Sequence, residues 1–268
     1  MDWTQAVVLG VVQGITEFLP ISSSGHLVLL QKLWHIQGDQ LLFITLLHIG
    51  TLIAVLWAFR ADIGWLIRHP LSRFSRMLFV ALVPTALIGV LFEDAFDQLF
   101  ASGATLGLEF VVTGVILWWM DSVTSGTKSQ DDVRTSDAVW IGIFQGAAIL
   151  PALSRSGLTI AGGLWRGLDR DTAGRFSFLV SIPAILGATV LELEKALSAP
   201  MGEGATPWGP MMVGTAAAVV AGYLSVRFTL WLLRHAQMRW FALYAWALAA
   251  FILADQLFFH HWFPPLVH

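Results

Sequence analysis

Leu150-Pro151-Ala152-Leu153-Ser154-Arg155-Ser156-Gly157-Leu158-Thr159 is the stretch on which the reading of this chain turns. It sets an arginine, three hydroxyls and a helix-breaking proline inside a strongly apolar sequence. An arginine at the centre of a bilayer costs about 2.5–3.5 kcal/mol on insertion scales, so its presence asks for a reason. An earlier stretch echoes it: Gln13-Gly14-Ile15-Thr16-Glu17-Phe18-Leu19-Pro20-Ile21-Ser22-Ser23-Ser24-Gly25-His26. The two are expected to face each other and form one anion-binding site inside a membrane.

The membrane follows from composition. Of 268 residues, 56% are hydrophobic and only 12% charged, with a mean hydropathy of +0.71. Soluble domains carry about 25% charged residues. The net charge of −3 decides little, because the distribution of charge matters more than its sum. The absence of cysteine excludes disulfides and thiolate chemistry. Met1-Asp2-Trp3-Thr4 lacks a basic leader, so no cleaved signal peptide is expected. No nucleic-acid partner is expected; membrane lipids are, and the oligomeric state, a homodimer included, is open.

Residues 5–19 and 24–35 are apolar but too short to cross, since a span needs about 20 residues. Pro20 to Ser23 breaks them, with a serine N-cap signature for the second piece. The pair reads as a re-entrant hairpin. Spans follow at 41–59, about 77–92 and about 105–121. The second half repeats the plan, with short pieces at 138–150 and 154–165 around a break from Pro151 to Ser156. Spans at about 176–194, 209–233 and 240–258 complete it. The expected fold is an all-α membrane domain over residues 1–268, with six transmembrane helices and two re-entrant hairpins.

Charge orients this layout. The segments 60–76, 122–137, 166–175 and 234–239 fall on one side and hold eleven of the fifteen lysines and arginines. The other side holds only Lys32 and Lys195, while Arg155 and Arg227 lie within apolar segments. Basic loops belong in the cytoplasm, so both termini lie outside. Trp34, Trp57, Trp65, Trp140 and Trp165 lie near predicted helix ends, as an interfacial belt requires. Gln13-Gly14 recurs as Gln145-Gly146, and Ser22-x-Ser24-Gly25 as Ser154-x-Ser156-Gly157, both at an offset of 132. Repeat one covers about 1–121 and repeat two about 138–258. Because the hairpins enter from opposite sides, the repeat has inverted topology, an architecture whose broken helices usually form the binding site.

The residues themselves suggest phosphate chemistry. Ser154-Arg155-Ser156-Gly157 opens a helix whose free N–H groups and positive dipole end suit an anion. Arg155 adds a planar fork for phosphate oxygens, and Thr159, about one turn on, adds a hydroxyl on the same face. The plainer role for Arg155 is a structural ion pair. Gln13 and Glu17 share a helix face, where Glu17 suits a divalent cation, with Gln13, or the role of general base. Ser22, Ser23 and Ser24 serve as helix caps or as ligands. His26 suits proton transfer or nucleophilic attack. His48 and Gln145 are weaker candidates for the site. Arg227 is expected to snorkel, Glu109 and Asp255 to be interfacial, and His260, His261 and His268 to form a tail.

These residues resemble the two signature regions of the bacterial undecaprenyl-diphosphatase family, the bacitracin-resistance type: Glu17 through His26, and Ser154-Arg155-Ser156-Gly157. The resemblance extends to His48-Ile49-Gly50-Thr51 and to Arg175-Phe176-Ser177-Phe178-Leu179 ahead of Pro183. Gln13 and Glu17 match the family's first motif. Its second usually reads Pro-Gly-x-Ser-Arg-Ser, where this chain has Ala152, a departure expected to tighten the turn or lower activity. The resemblance implies hydrolysis of undecaprenyl diphosphate, which recycles the lipid carrier of cell-wall synthesis, and with it bacitracin resistance. It implies a site of Glu17, Ser23, His26, Ser154, Arg155, Ser156 and Thr159, with Mg²⁺ or Ca²⁺, open to the outer face of the inner membrane. Ser23, His26 and an activated water remain alternative nucleophiles. The rival class is a flippase for polyprenyl phosphate, which would need the same phosphate clamp.

Overall fold

The structure is a computed structural model that describes residues 2–36, 40–123, 125–198, 207–235 and 237–266. Among these, regular structure is helical throughout, apart from one isolated bridge between Lys128 and Leu168. The first half holds α1 (Trp3–Phe18), α2 (Ser23–Leu33), α3 (Leu41–Ala58), α4 (Arg60–Arg68), α5 (Arg73–Leu91), α6 (Glu93–Ser102) and α7 (Leu106–Ser122). The second holds α8 (Thr135–Ala147), α9 (Arg155–Trp165), α10 (Arg170–Ser198), α11 (Trp208–His235) and α12 (Arg239–Ala254), which runs on through a π turn at Asp255–Phe259. Five helices are long and apolar enough to cross a membrane: α3, α5, α10, α11 and α12 with its π turn. A sixth is gained if α6 and α7, bent by 106°, count as one span.

Both short pairs break where proline and serine stand. Ser22 caps α2 and Ser154 caps α9, each hydroxyl accepting from the backbone N–H three residues on. Some segments expected to be loops are helical instead. Residues 60–68 form α4, amphipathic and without a buried residue; the acidic turn at Glu93 is α6; and Arg170 and Arg175 already belong to α10. Charged residues with helical periodicity can coil along an interface, which a count of hydropathy alone treats as loop. The five tryptophans of the expected belt are all exposed, although Trp140 lies midway along α8 rather than near an end, and Arg60 and Arg166 lie over Trp57 and Trp165 at 5.5 and 5.4 Å.

Small residues let the half-length helices into the core. A Cβ on Gly10 of α1 would come within 2.0 Å of the Gly214 carbonyl oxygen on α11, and one on Gly14 within 2.7 Å of Ala218. On α8, a Cβ on Gly142 would come within 2.1 Å of the Ala81 carbonyl oxygen on α5, and one on Gly146 within 2.5 Å of Ile88. Without a hydrophobic drive between helices in lipid, such close backbone approach supplies the packing energy. α3 and α10 pack together at the centre, each against the other half's glycine-receiving helix, α11 and α5 respectively.

On the side of the basic segments, Asp137 is fully buried and accepts from Lys128 Nζ at 3.0 Å, Arg166 Nε at 2.9 Å and the Arg134 N–H at 3.0 Å. This ties the start of α8 to the end of α9. Burial alone would raise the Asp137 carboxyl, but those three donors outweigh it and hold it below the ordinary value. Its contribution to stability is therefore complete above about pH 4 and is lost as pH falls through the lowered value. Asp137→Asn is expected to cost about 1.5–3 kcal/mol at pH 7, the range for hydrogen bonds to a charged group. It should also flatten the acid limb of stability. Thermal unfolding in detergent at neutral and acid pH measures both, and an unchanged midpoint at pH 7 would count against the lock.

Candidate active site

The breaks after α1 and before α9 lie against each other and exchange hydrogen bonds. Ser22 Oγ donates to the Pro151 carbonyl at 2.6 Å, and Ser156 Oγ donates to the Leu19 carbonyl at 3.2 Å. Each serine thus satisfies a carbonyl freed by the opposite break. Gly25 closes the contact: a Cβ there would stand 3.1 Å from Ala152 and 2.8 Å from the Phe110 ring. Ser22 adopts φ = 67°, a strained value for a residue with a side chain, and the cross-break bond helps hold it there.

Glu17, at the end of α1, is the hub of the cluster. Its Oε1 accepts from Arg155 Nη2, and its Oε2 accepts from the Ser23 hydroxyl and, at 3.0 Å, from Gln13 Nε2. Glu17 and Arg155 expose only 8% and 16% of their side chains, so each is the other's main compensation for lost water. Two polar atoms of this cluster are buried with no partner among the described residues: Gln13 Oε1 and Arg155 Nη1. One is an acceptor suited to a cation and the other a donor suited to an anion. The first turns of α2 and α9 start at the same place, and both present the positive ends of their dipoles there.

His26 lies one turn into α2. Its Nδ1 stands 2.5 Å from the Ser22 carbonyl, which can only accept, so Nδ1 carries the proton. In the neutral ring Nε2 is then the acceptor, and it lies 2.8 Å from the Tyr244 hydroxyl of α12. Phe110 meets the same ring edge-on at 5.6 Å.

Not every expected residue joins the cluster. Thr159 turns away from the Arg155 guanidinium: its hydroxyl lies 2.8 Å from the Arg155 carbonyl and 2.5 Å from Ser177 Oγ, the back-bonding usual for threonine within a helix. Ser154 Oγ and the Gly157 N–H satisfy each other in the cap, with Ser156 Oγ 3.4 Å from Ser154 Oγ. Ser24 is partly exposed, and its side chain makes no hydrogen bond within the described residues. His48 pairs with Glu192 at 3.4 Å and is near enough to feel the charges of Glu17 and Arg155. Gln145 lies apart, donating to Thr85 at 3.2 Å. Arg227 is exposed and bonds Tyr223.

Glu109 and Asp255 are both buried as backbone acceptors, and Asp255 takes the N–H groups of His261, Trp262 and Phe263. Thus His261 is fixed by the chain's own end, His260 is exposed beside it, and His268 lies outside the described residues. Glu109 Oε2 accepts from the Ala152 N–H at 2.6 Å. Four residues along α7, Thr113 donates to the Ala152 carbonyl at 2.8 Å and accepts from the Ser154 N–H at 3.2 Å. α7 therefore grips both edges of the 152–154 backbone. Ala152 itself is fully buried and has no left-handed φ, so this turn does not need a glycine.

With this geometry in view, similarity to known proteins is informative. The sequence matches the description "Bacitracin resistance protein BacA" over residues 6–251. The chain belongs to the BacA family. It is 48% identical over 256 residues to a protein named undecaprenyl-diphosphatase from Carboxydothermus hydrogenoformans, with 96% of this chain and 98% of the relative covered. It is 43% identical, with the same coverage, to undecaprenyl-diphosphatase 4 of Bacillus cereus strain ZK / E33L. It is 40% identical to the undecaprenyl-diphosphatase of Halothermothrix orenii, with 94% and 98% covered. Family and helices together make this a multi-pass membrane protein.

Glu192, Thr113 and Tyr244 were not singled out from the sequence, and Glu109 was singled out only as an interfacial residue, not as a partner of the site. For Glu109 the available signal was a carboxylate inside an apolar helix, which is costly unless it is bonded. Glu109→Ala leaves the Ala152 N–H without its acceptor and should cost about 1–3 kcal/mol. Glu109→Gln keeps an oxygen there and should lose less. Unfolding midpoints of the two variants in detergent measure the difference, and equal losses would argue against the backbone grip.

Proposed function

We propose that this protein is a membrane-embedded phosphatase that hydrolyses undecaprenyl diphosphate to undecaprenyl phosphate and inorganic phosphate. The observation that carries this reading is Arg155. It stands at the first position of α9, partly buried, with Nη2 spent on Glu17 and Nη1 buried without a partner among the described residues. That free nitrogen and the α9 N-terminus suit a phosphoryl group whose charge grows as the bridging P–O bond breaks. The names carried by the relatives support the same chemistry and do not favour the flippase reading.

Glu17 and Gln13 fit a divalent cation, because Gln13 Oε1 is an unpaired buried acceptor beside a carboxylate. No group of three or more His, Cys, Asp or Glu ligands stands ready among the described residues. A hard cation held by one carboxylate, one amide oxygen and the diphosphate itself meets that condition, which favours Mg²⁺ or Ca²⁺. Such an ion would neutralise charge on the diphosphate.

For attack, the site offers the Ser23 hydroxyl, whose proton already has Glu17 as acceptor, and His26 Nε2, whose lone pair becomes available when the Tyr244 hydroxyl turns aside. His26 either attacks phosphorus or accepts the proton of the attacking oxygen, from Ser23 or water. In each case the new bond to phosphorus forms as the bond to the bridging oxygen breaks, and the electron pair leaves with undecaprenyl phosphate; where His26 or Ser23 has attacked, water then displaces that side chain from phosphorus and releases inorganic phosphate. Ser22, Ser154, Ser156 and Gly157 hold the two helix starts in place around that centre.

The same proposal includes the inverted repeat. Gly10 and Gly14 recur as Gly142 and Gly146 at the 132-residue offset, and in both halves they make the close approach to the other half. α1 packs on α11 as α8 packs on α5, and α3 meets α10 as its counterpart. These exchanges support two re-entrant hairpins, α1–α2 and α8–α9, meeting from opposite sides in a bacterial inner membrane. The basic segments would then be cytoplasmic and the site open to the outer side.

Purified protein should release phosphate from undecaprenyl diphosphate, and a chelator should suppress release until Mg²⁺ or Ca²⁺ is restored. Intact translocation of the lipid monophosphate in vesicles without phosphate release would sink the enzyme reading. Arg155→Ala should lower turnover by about a hundredfold or more in a folded protein, and near-wild-type turnover would remove its role. Since the chain has no cysteine, topology can be mapped with single introduced thiols. Ser125→Cys should react with an impermeant maleimide only after permeabilisation, and Ala101→Cys in intact cells; the reverse pattern refutes the orientation.

A further inference from the structure

We infer that Tyr244 is a positioning residue for His26: in the resting site the tyrosine hydroxyl of α12 donates to Nε2 and fixes the ring, and it turns aside when the phosphatase reaction draws on that lone pair. The inference rests on the phosphatase reading above. It begins with the His26–Ser22 contact, which leaves Nε2 as the free acceptor of the neutral ring. Among the described residues the hydroxyl on that nitrogen is Tyr244's, at 2.8 Å, so in the neutral site tyrosine donates and histidine accepts. The two rings are nearly parallel, 9° apart with centroids at 5.6 Å, while Phe110 closes the perpendicular side at 5.6 Å. Packing therefore limits ring rotation, and the hydroxyl selects the direction of Nε2 within the remaining freedom.

A hydroxyl suits this task better than a fixed donor. It can donate to neutral imidazole and, after His26 takes a proton, accept from the Nε2–H of imidazolium by turning its own hydrogen. His26 keeps a partner through either state. The environments also differ: His26 is 6% exposed, whereas Tyr244 is 43% exposed. Tyr244 thus joins a buried nitrogen to the outside of the bundle. α12 has no other contact with the hydroxyl cluster in the hydrogen bonds described, so this bond couples the last helix to the two breaks.

Tyr244→Phe removes the hydroxyl and keeps the ring. Phosphate release should show kcat lowered about tenfold with KM within about twofold of wild type. Nitrogen-15 spectra of histidine-labelled protein, with His26 assigned from the resonances lost in His26→Asn, give a readout independent of turnover. The Nε2 resonance should move toward that of an imine nitrogen without a hydrogen bond, while Nδ1 keeps its proton. An unmoved Nε2 resonance, or an unchanged kcat, would overturn the inference.

If Tyr244→Phe does not fold, 3-fluorotyrosine can be incorporated in a Tyr223→Phe background, because the chain has only two tyrosines. Tyr223 lies away from the site and bonds Arg227 at 3.3 Å. The more acidic phenol should shift Nε2 the opposite way, and no shift overturns the inference. An inactive wild type with the Nε2 bond still visible would instead overturn the phosphatase reading and remove the reaction that Tyr244 is inferred to serve.

Discussion

The ion pair between Glu17 and Arg155 is the interaction on which the rest of the structure depends. Both side chains are largely withdrawn from solvent, and removing one partner of a buried pair typically costs about 3–5 kcal/mol. The two residues lie at the junctions of separate helical pairs, 138 positions apart. Their pairing therefore requires α1 and α9 to end and begin at one point. The exchanged serine bonds, Ser22 to Pro151 and Ser156 to Leu19, satisfy the backbone that this meeting exposes.

Bringing broken helices together in an apolar medium needs support from outside the break. Glycines on α1 and α8 admit α11 and α5 at backbone distance, which fixes the depth of each half-length helix. α7 then grips the 152–154 backbone through Glu109 and Thr113. The 152–154 turn is thus held by peptide hydrogen bonds, which do not depend on a particular side chain at position 152. Alanine there fills the space against Gly25 instead of distorting the turn.

The arrangement also explains how the site can be polar and stable without ligand. Glu17 occupies Arg155 and Ser23, and Gln13 occupies Glu17, so nearly all hydrogen-bonding capacity is used internally. What remains both buried and unpaired in this cluster, among the described residues, is one acceptor and one donor, Gln13 Oε1 and Arg155 Nη1. A cation-bound diphosphate, the ligand proposed above, would supply the complement of each. Binding then replaces internal bonds with external ones, so the affinity reflects the difference between the two sets.

Much was legible from residue order. Hydropathy and length mark the short helices and the long ones, proline and serine mark the breaks, and the recurrence of serine and glycine brings the two breaks under one hypothesis. The cost of a charge in an apolar run singled out Glu17 and Arg155, because that cost belongs to the residue wherever the chain goes. Partnership is different, since it depends on which helix faces which. Sequence gave no sign that Thr159 would turn to Ser177, that Glu109 would hold Ala152, or that Tyr244 would meet His26 across 218 positions. Local chemistry determined that this chain would carry a polar, phosphate-suited site within a helical membrane domain. Only packing in three dimensions decided which donors and acceptors remain free to meet a ligand, because a hydrogen bond is set by distance and angle, which no single segment contains.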